Sequence, residues 1–180
     1  MKPPVRRLGL AVPEFFNSIE QSGLSRWIRG GSDVFAFYLF LLFHAFGLAL
    51  VVGGNTVVDL RILGVARDLP LKSLKWLFGI MWAGFWINAA SGIFLLIAYP
   101  TTAFTNPVFY AKLSFVALAM IIMRRIQIRV FDPSLSEAAM IVKGRPMAKW
   151  SLVLWTGAIT TGRLLAYTYT YLLYGFRAAG

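Results

Sequence analysis

A single histidine, His44, stands near the middle of the apolar run VFAFYLFLLFHAFGLALVV, from Val34 to Val52, which holds no other ionisable group. At bilayer depth an ionisable side chain is costly, and one that is present usually has a partner and a task. An imidazole there can ligate a metal or a haem iron, or it can hydrogen-bond a neighbouring backbone group or hydroxyl. At about 1.5 Å per helical residue, His44 lies about 15 Å into its run. Similar depth falls around Trp86 and Asn88 in the second run, Ala119 and Met120 in the third, and Thr160 to Arg163 in the fourth. Lys112 lies one turn into the third run, toward the outer side. His44, Asn88, Lys112 and Arg163 are therefore expected to converge in the outer half of a helical bundle.

That set suits a b-type haem. The imidazole would hold the iron, Lys112 and Arg163 would meet the propionates, and Gly47, one turn from His44, would leave room beside the macrocycle. One histidine cannot give two imidazole ligands within one chain. The second axial position would be open, or taken by Met120, Met81 or His44 of a second protomer. The competing role is a histidine spent on the protein's own polar network. Arg163 likewise either reaches outward to a tyrosine belt or meets an anionic ligand such as a propionate or a lipid phosphate.

Asp59 and Arg61 sit in VVDLRILG. Two residues apart on a helix, they point in different directions and are not a mutual pair. Asp59 is expected to pair with Arg124 or Arg125 in a structural clamp at the inner boundary, a proton relay being the alternative. Met81, Met120, Met123, Met140 and Met147 read as core gap-fillers rather than a copper ladder. No phosphate loop, zinc motif or hydrolase triad is visible.

The elements that must position these groups are membrane helices. The chain has 180 residues, 58% hydrophobic and 16% aromatic, with a mean hydropathy of +0.69. A span needs about 20 mostly apolar residues, and four stretches qualify: 34–58, 76–99, 108–131 and 150–173. The expected fold is an all-α integral membrane protein. It comprises an amphipathic interfacial helix within 1–33, a four-helix transmembrane bundle over 34–174 and a tail from 175 to 180. Phe15, Phe16, Ile19 and Trp27 give the N-terminal segment its apolar side. Its alternative place is against the bundle's own end. Ser32 and Asp33 can cap the first span, which helical spacing extends to Gly64. Gly53 and Gly54 inside it either allow close helix contact or mark a bend. The short uncharged link TTAFTNP predicts that spans two and three are adjacent and antiparallel. The fourth span ends in Tyr167, Tyr169, Tyr171 and Tyr174, as expected at a membrane boundary.

A net charge of +11 could indicate nucleic acid, but the basic residues cluster at the ends of the apolar runs, where headgroups lie. The absence of cysteine excludes disulfides, thiolate metal sites and covalent c-type haem. Lys2, Arg6 and Arg7 are followed only by the short apolar stretch Leu8–Val12, so no cleaved signal is expected. Lysine and arginine concentrate in the first and third loops, against Arg177 and the N-terminal bases on the other side. The positive-inside rule thus favours both termini outside, in the periplasm.

The string FHAFGLALVVGGNTVVDLRILG resembles a family of small four-span bacterial inner-membrane proteins. The shared positions are His44, Gly47, Gly53, Asp59, Leu60, Arg61, Leu63 and Gly64. The likeness continues through SGIFLL around Gly92 and through NPVFYAKL, with Asn106, Pro107, Phe109 and Lys112. More distantly the chain is similar to the copper-resistance protein D and membrane protoporphyrinogen oxidase types, a resemblance that implies haem chemistry or copper import. The leading expectation is a haem b protein serving electron transfer, or the membrane subunit of a redox complex. The alternatives are a cofactor-free scaffold or accessory subunit, and copper or small-solute transport. Lipid and a second copy or a larger membrane complex are the expected partners.

Overall fold

A computed structural model describes residues 14–29 and 35–178, all of the regular structure being helical. Two short helices, α1 (Glu14–Glu20) and α2 (Gly23–Ile28), precede α3 (Phe35–Leu63). A 3₁₀ segment (Leu71–Trp76) leads into α4 (Leu77–Ala98), followed by α5 (Pro100–Thr105) and α6 (Pro107–Arg125). A π turn (Ile126–Val130) and a loop then lead to α7 (Glu137–Ala178), a single helix of 42 residues. The Ser32–Asp33 cap and the bases Lys2, Arg6 and Arg7 lie outside the described residues, as do the side chains of Tyr169, Tyr171, Tyr174 and Arg177.

Among the described residues three helical segments are long and apolar enough to cross a membrane: Phe35–Leu63, Leu71–Ala98 and Pro107–Val130. This is an all-helical membrane protein by length and composition. The fourth expected span falls inside α7, whose early turns carry Glu137, Lys143, Arg145 and Lys149.

Local chemistry sets the helix ends. Gly64 takes φ +109°, and its N–H reaches Arg61 O while Val65 N–H reaches Leu60 O. That double bond pattern closes α3 and needs a residue without Cβ. At the start of α6, Asn106 Oδ1 accepts Val108 N–H at 3.0 Å, with Pro107 in the first turn.

Cross-helix contacts define the order. Phe40 stacks on Phe94 and Phe37 meets Tyr99, while Gly54 lies on Met81, so α3 and α4 are antiparallel. Asn55 touches Ser151 and Gly144 abuts Ile62, so α3 and α7 are antiparallel too. Gly157 meets Phe115 and Asn106 bonds Thr168, which pairs α7 with α6. The packing sequence is therefore α4–α3–α7–α6. Expected neighbours, spans two and three, do not share a main interface: α6 packs on α7 rather than α4. The six-residue α5 carries the chain across the bundle end, which a reading of TTAFTNP as a tight link missed. At the other end the two approach through Phe78–Phe131 and the 3.2 Å bond from Trp82 Nε1 to Gln127 Oε1.

The N-terminal segment is two helices rather than one, broken where Ser22 accepts Ser25 N–H as an N-cap. It packs on the bundle end: Phe16 stacks on Phe104 of α5, and Ser25 Oγ donates to Ala98 O of α4.

The apolar core fills the half of the bundle at the basic end. Val58, Ile62, Phe78, Met81, Met123, Ile126 and Met140 are essentially fully buried there. The opposite half, with His44 and Lys112, has few buried apolar side chains.

Candidate functional site

His44 projects from α3 onto α4. Its Nδ1 lies 3.0 Å from Asn88 O and 3.4 Å from Ser91 Oγ. Asn88 returns the contact, its Nδ2 donating to His44 O at 2.7 Å. The ring rests on Gly92, where a Cβ would come within 3.1 Å of Cε1. Ser91 is buried and donates to Ile87 O at 2.6 Å, so it reinforces its own helix.

One turn further along α3, the backbones meet. A Cβ at Gly47 would lie 2.6 Å from Asn88 N and 2.7 Å from Gly84 O. Gly47 therefore makes the α3–α4 crossing, the space of its missing Cβ being taken by the α4 backbone. Small residues at such crossings let helix backbones approach in a membrane.

Lys112 comes to the His44 level from α6, close enough for its charge to act on the imidazole. Its stem lies beside Gly162, whose Cβ would be 3.7 Å from Lys112 Cε. His44, Asn88 and Lys112 thus do gather in one layer. Arg163, next to Gly162, is exposed. Met120 belongs instead to the core with Val51, Met81 and Leu154, on the basic side of this layer. It is not placed to be an axial partner, because the helix register sets it at the level of the Asn55–Ser151 contact.

The clamp at the basic end also differs from its expectation. Asn55 Nδ2 donates to Asp59 Oδ2 at 2.6 Å and to Ser151 Oγ at 2.5 Å. Arg124 Nη1 donates to Gln127 Oε1 at 3.1 Å, and Arg125 is exposed. Among the described residues no ion pair includes Asp59. Arg61 forms the clamp instead, 2.5 Å from Glu137 Oε1. Asn55 was discoverable from sequence, since it lies four residues before Asp59 on one helix face. Glu137 was not, because 76 residues separate it from Arg61.

Among the described residues no group of three or more His, Cys, Asp or Glu could hold a metal ion. A groove of about 190 Å³ runs between α3 and α4, lined by Phe40, Phe43, Ile87, Ala90, Ser91 and Phe94. The arrangement can tie two helices together, and it can present His44 Nε2 laterally.

Here the all-helical membrane architecture defines the class of the protein. Comparison with family models, curated proteins and solved structures finds no match for this chain.

Proposed function

We propose that this chain is a multi-pass structural or accessory subunit of a membrane complex, in which His44 pins α3 to α4. The reciprocal His44–Asn88 bonds beside the Gly47–Gly84 crossing carry that reading. His44 Nδ1 and the Asn88 amide, both half-buried, are thus satisfied within the protein, as polar groups facing lipid need. Exposed Trp86, on α4 near the same level, offers a large apolar side chain to a second copy or a partner helix. Detergent-purified protein is expected to be colourless and metal-free, with His44→Ala lowering its melting temperature. A Soret band that disappears in His44→Ala overturns this assignment.

The second reading, haem b bound through His44, is favoured by one feature. With Nδ1 held by a backbone carbonyl, the tautomer is fixed and Nε2 is left as the ligating nitrogen, the usual second-shell pattern of ligand histidines. Lys112 and Arg163 would then be the propionate partners. A second protomer would complete the pocket for such a group. Haem would supply one-electron transfer there; copper or solute transport has no supporting geometry.

We place the protein in a bacterial inner membrane with α7 as the fourth span, α1 and α2 in the outer interface and both termini periplasmic. The support is the packing, which gathers Arg61, Arg124, Lys143 and Lys149 at one end. Because the chain has no cysteine, single introduced thiols report topology cleanly. A membrane-impermeant maleimide is expected to label Thr105→Cys in intact spheroplasts and Ser134→Cys only after lysis. The opposite pattern reverses the orientation.

A further inference from the structure

The second buried polar cluster, at the basic end, has no part in the reading above. Asp59, Asn55 and Ser151 are 0%, 1% and 0% exposed. We propose that Asp59 is a proton-binding site, a neutral carboxylic acid whose O–H is donated to the Asn55 amide oxygen, with Ser151 donating to that same oxygen.

Three observations carry this. First, among the described residues no cation pairs with the carboxyl. Arg61 is committed to Glu137 and Arg124 bonds Gln127. Lys72 and Lys75 before α4, Arg125 of α6, Arg129 of the π turn and Lys143, Arg145 and Lys149 of α7 are exposed. Ser151 is the polar side chain besides Asn55 that acts on it. Burying an unpaired carboxylate is so costly that the group neutralises instead.

Second, Asp59 Oδ1 is buried without a hydrogen bond. An ionised carboxylate offers about four lone-pair sites, and a buried charged oxygen without a donor is costly. A carboxylic acid that donates through one oxygen leaves only a weak carbonyl acceptor unmet.

Third, the cluster offers the proton an acceptor. Turning the Asn55 amide, whose O and N are nearly alike in shape, puts its oxygen in contact with both Asp59 Oδ2 and Ser151 Oγ, so both hydroxyls can donate to it.

Infrared spectroscopy of the full-length protein in lipid vesicles at neutral pH tests the assignment. Wild type is expected to show a protonated-carboxyl C=O band that shifts in D2O and is absent in Asp59→Asn. That variant keeps the shape of the neutral acid and is expected to melt within a few degrees of wild type. If it fails to fold, Ser151→Ala serves, because loss of the shared hydroxyl must move the band. Absence of the band in wild type overturns the proposal. So does a band that persists in folded Asp59→Asn, or one that Ser151→Ala leaves unmoved.

Discussion

Arg61→Ala is expected to lose about 3 kcal/mol of stability, three hydrogen bonds of a buried guanidinium at roughly 1 kcal/mol each. Arg61 is 4% exposed and its guanidinium serves three acceptors, two in the loop after α3 and one on α7. Nε donates to Leu69 O at 2.5 Å, while Nη2 donates to Arg67 O at 3.1 Å and to Glu137 Oε1 at 2.5 Å. Glu137 Oε1 also accepts Leu71 N–H at 3.2 Å. One side chain thus fastens the loop after α3 to the start of the 3₁₀ segment and to the first turn of α7. Arg61→Lys supplies a single ammonium without the planar fork, so it should recover less than half of the loss. Glu137→Gln is milder, at about 1 kcal/mol, because its side chain is 41% exposed and the amide oxygen still accepts both bonds. Denaturation in mixed detergent micelles should rank the losses Arg61→Ala, then Arg61→Lys, then Glu137→Gln. Equal losses for the first and last would mean that the carbonyl contacts contribute nothing.

How much of this was readable in the residues varies with the range of the contact. The depth of His44 followed from counting along one helix, and so did its shared layer with Asn88 and Lys112. Those are local quantities, fixed by a rise of about 1.5 Å per residue. The extension of α3 to its end at Leu63, before Gly64, was local too. What Gly47 faces was not local. A missing Cβ suits a macrocycle or a neighbouring backbone equally, and only the register between α3 and α4 decides. The same limit hid Met120, whose depth along α6 depends on where that helix begins relative to α7. Charge pairing was the least legible. Proximity in sequence suggested Arg124 or Arg125 for Asp59, yet burial without a cation is possible when the acid is served by Asn55 and Ser151. Adjacent spans were inferred from a short link, and the extra helix α5 removed the basis for that inference.

Gly47→Ala should separate α3 from α4 and cost roughly 3–5 kcal/mol, the sum of overpacking at about 1–3 and two hydrogen bonds at about 1 each. The new methyl would face Asn88 N at 2.6 Å, Gly84 O at 2.7 Å and Asn88 Cα at 3.0 Å. All three are backbone atoms of a continuous helix, so no rotamer change can relieve the clash. The reciprocal position is as tight: a Cβ at Gly84 would lie 2.7 Å from Leu50 Cβ and 2.8 Å from Gly47 O. The helices must therefore part by roughly an ångström to restore van der Waals distance. That movement reaches the next turn, where the 2.7 Å bond from Asn88 Nδ2 to His44 O and the His44–Asn88 contact are lost together. Gly79→Ala is the control. It lies in the first turn of α4 with nothing within 4 Å of the added carbon, and should gain about 0.5–1 kcal/mol from reduced backbone freedom. The coupling is measurable in a double-mutant cycle. Since opening the crossing already breaks the Asn88 bond, Asn88→Ala should cost about 1 kcal/mol alone and far less in the Gly47→Ala background. Strictly additive losses would show that the crossing and the histidine pin are independent, and the place of His44 against α4 would then need another reason.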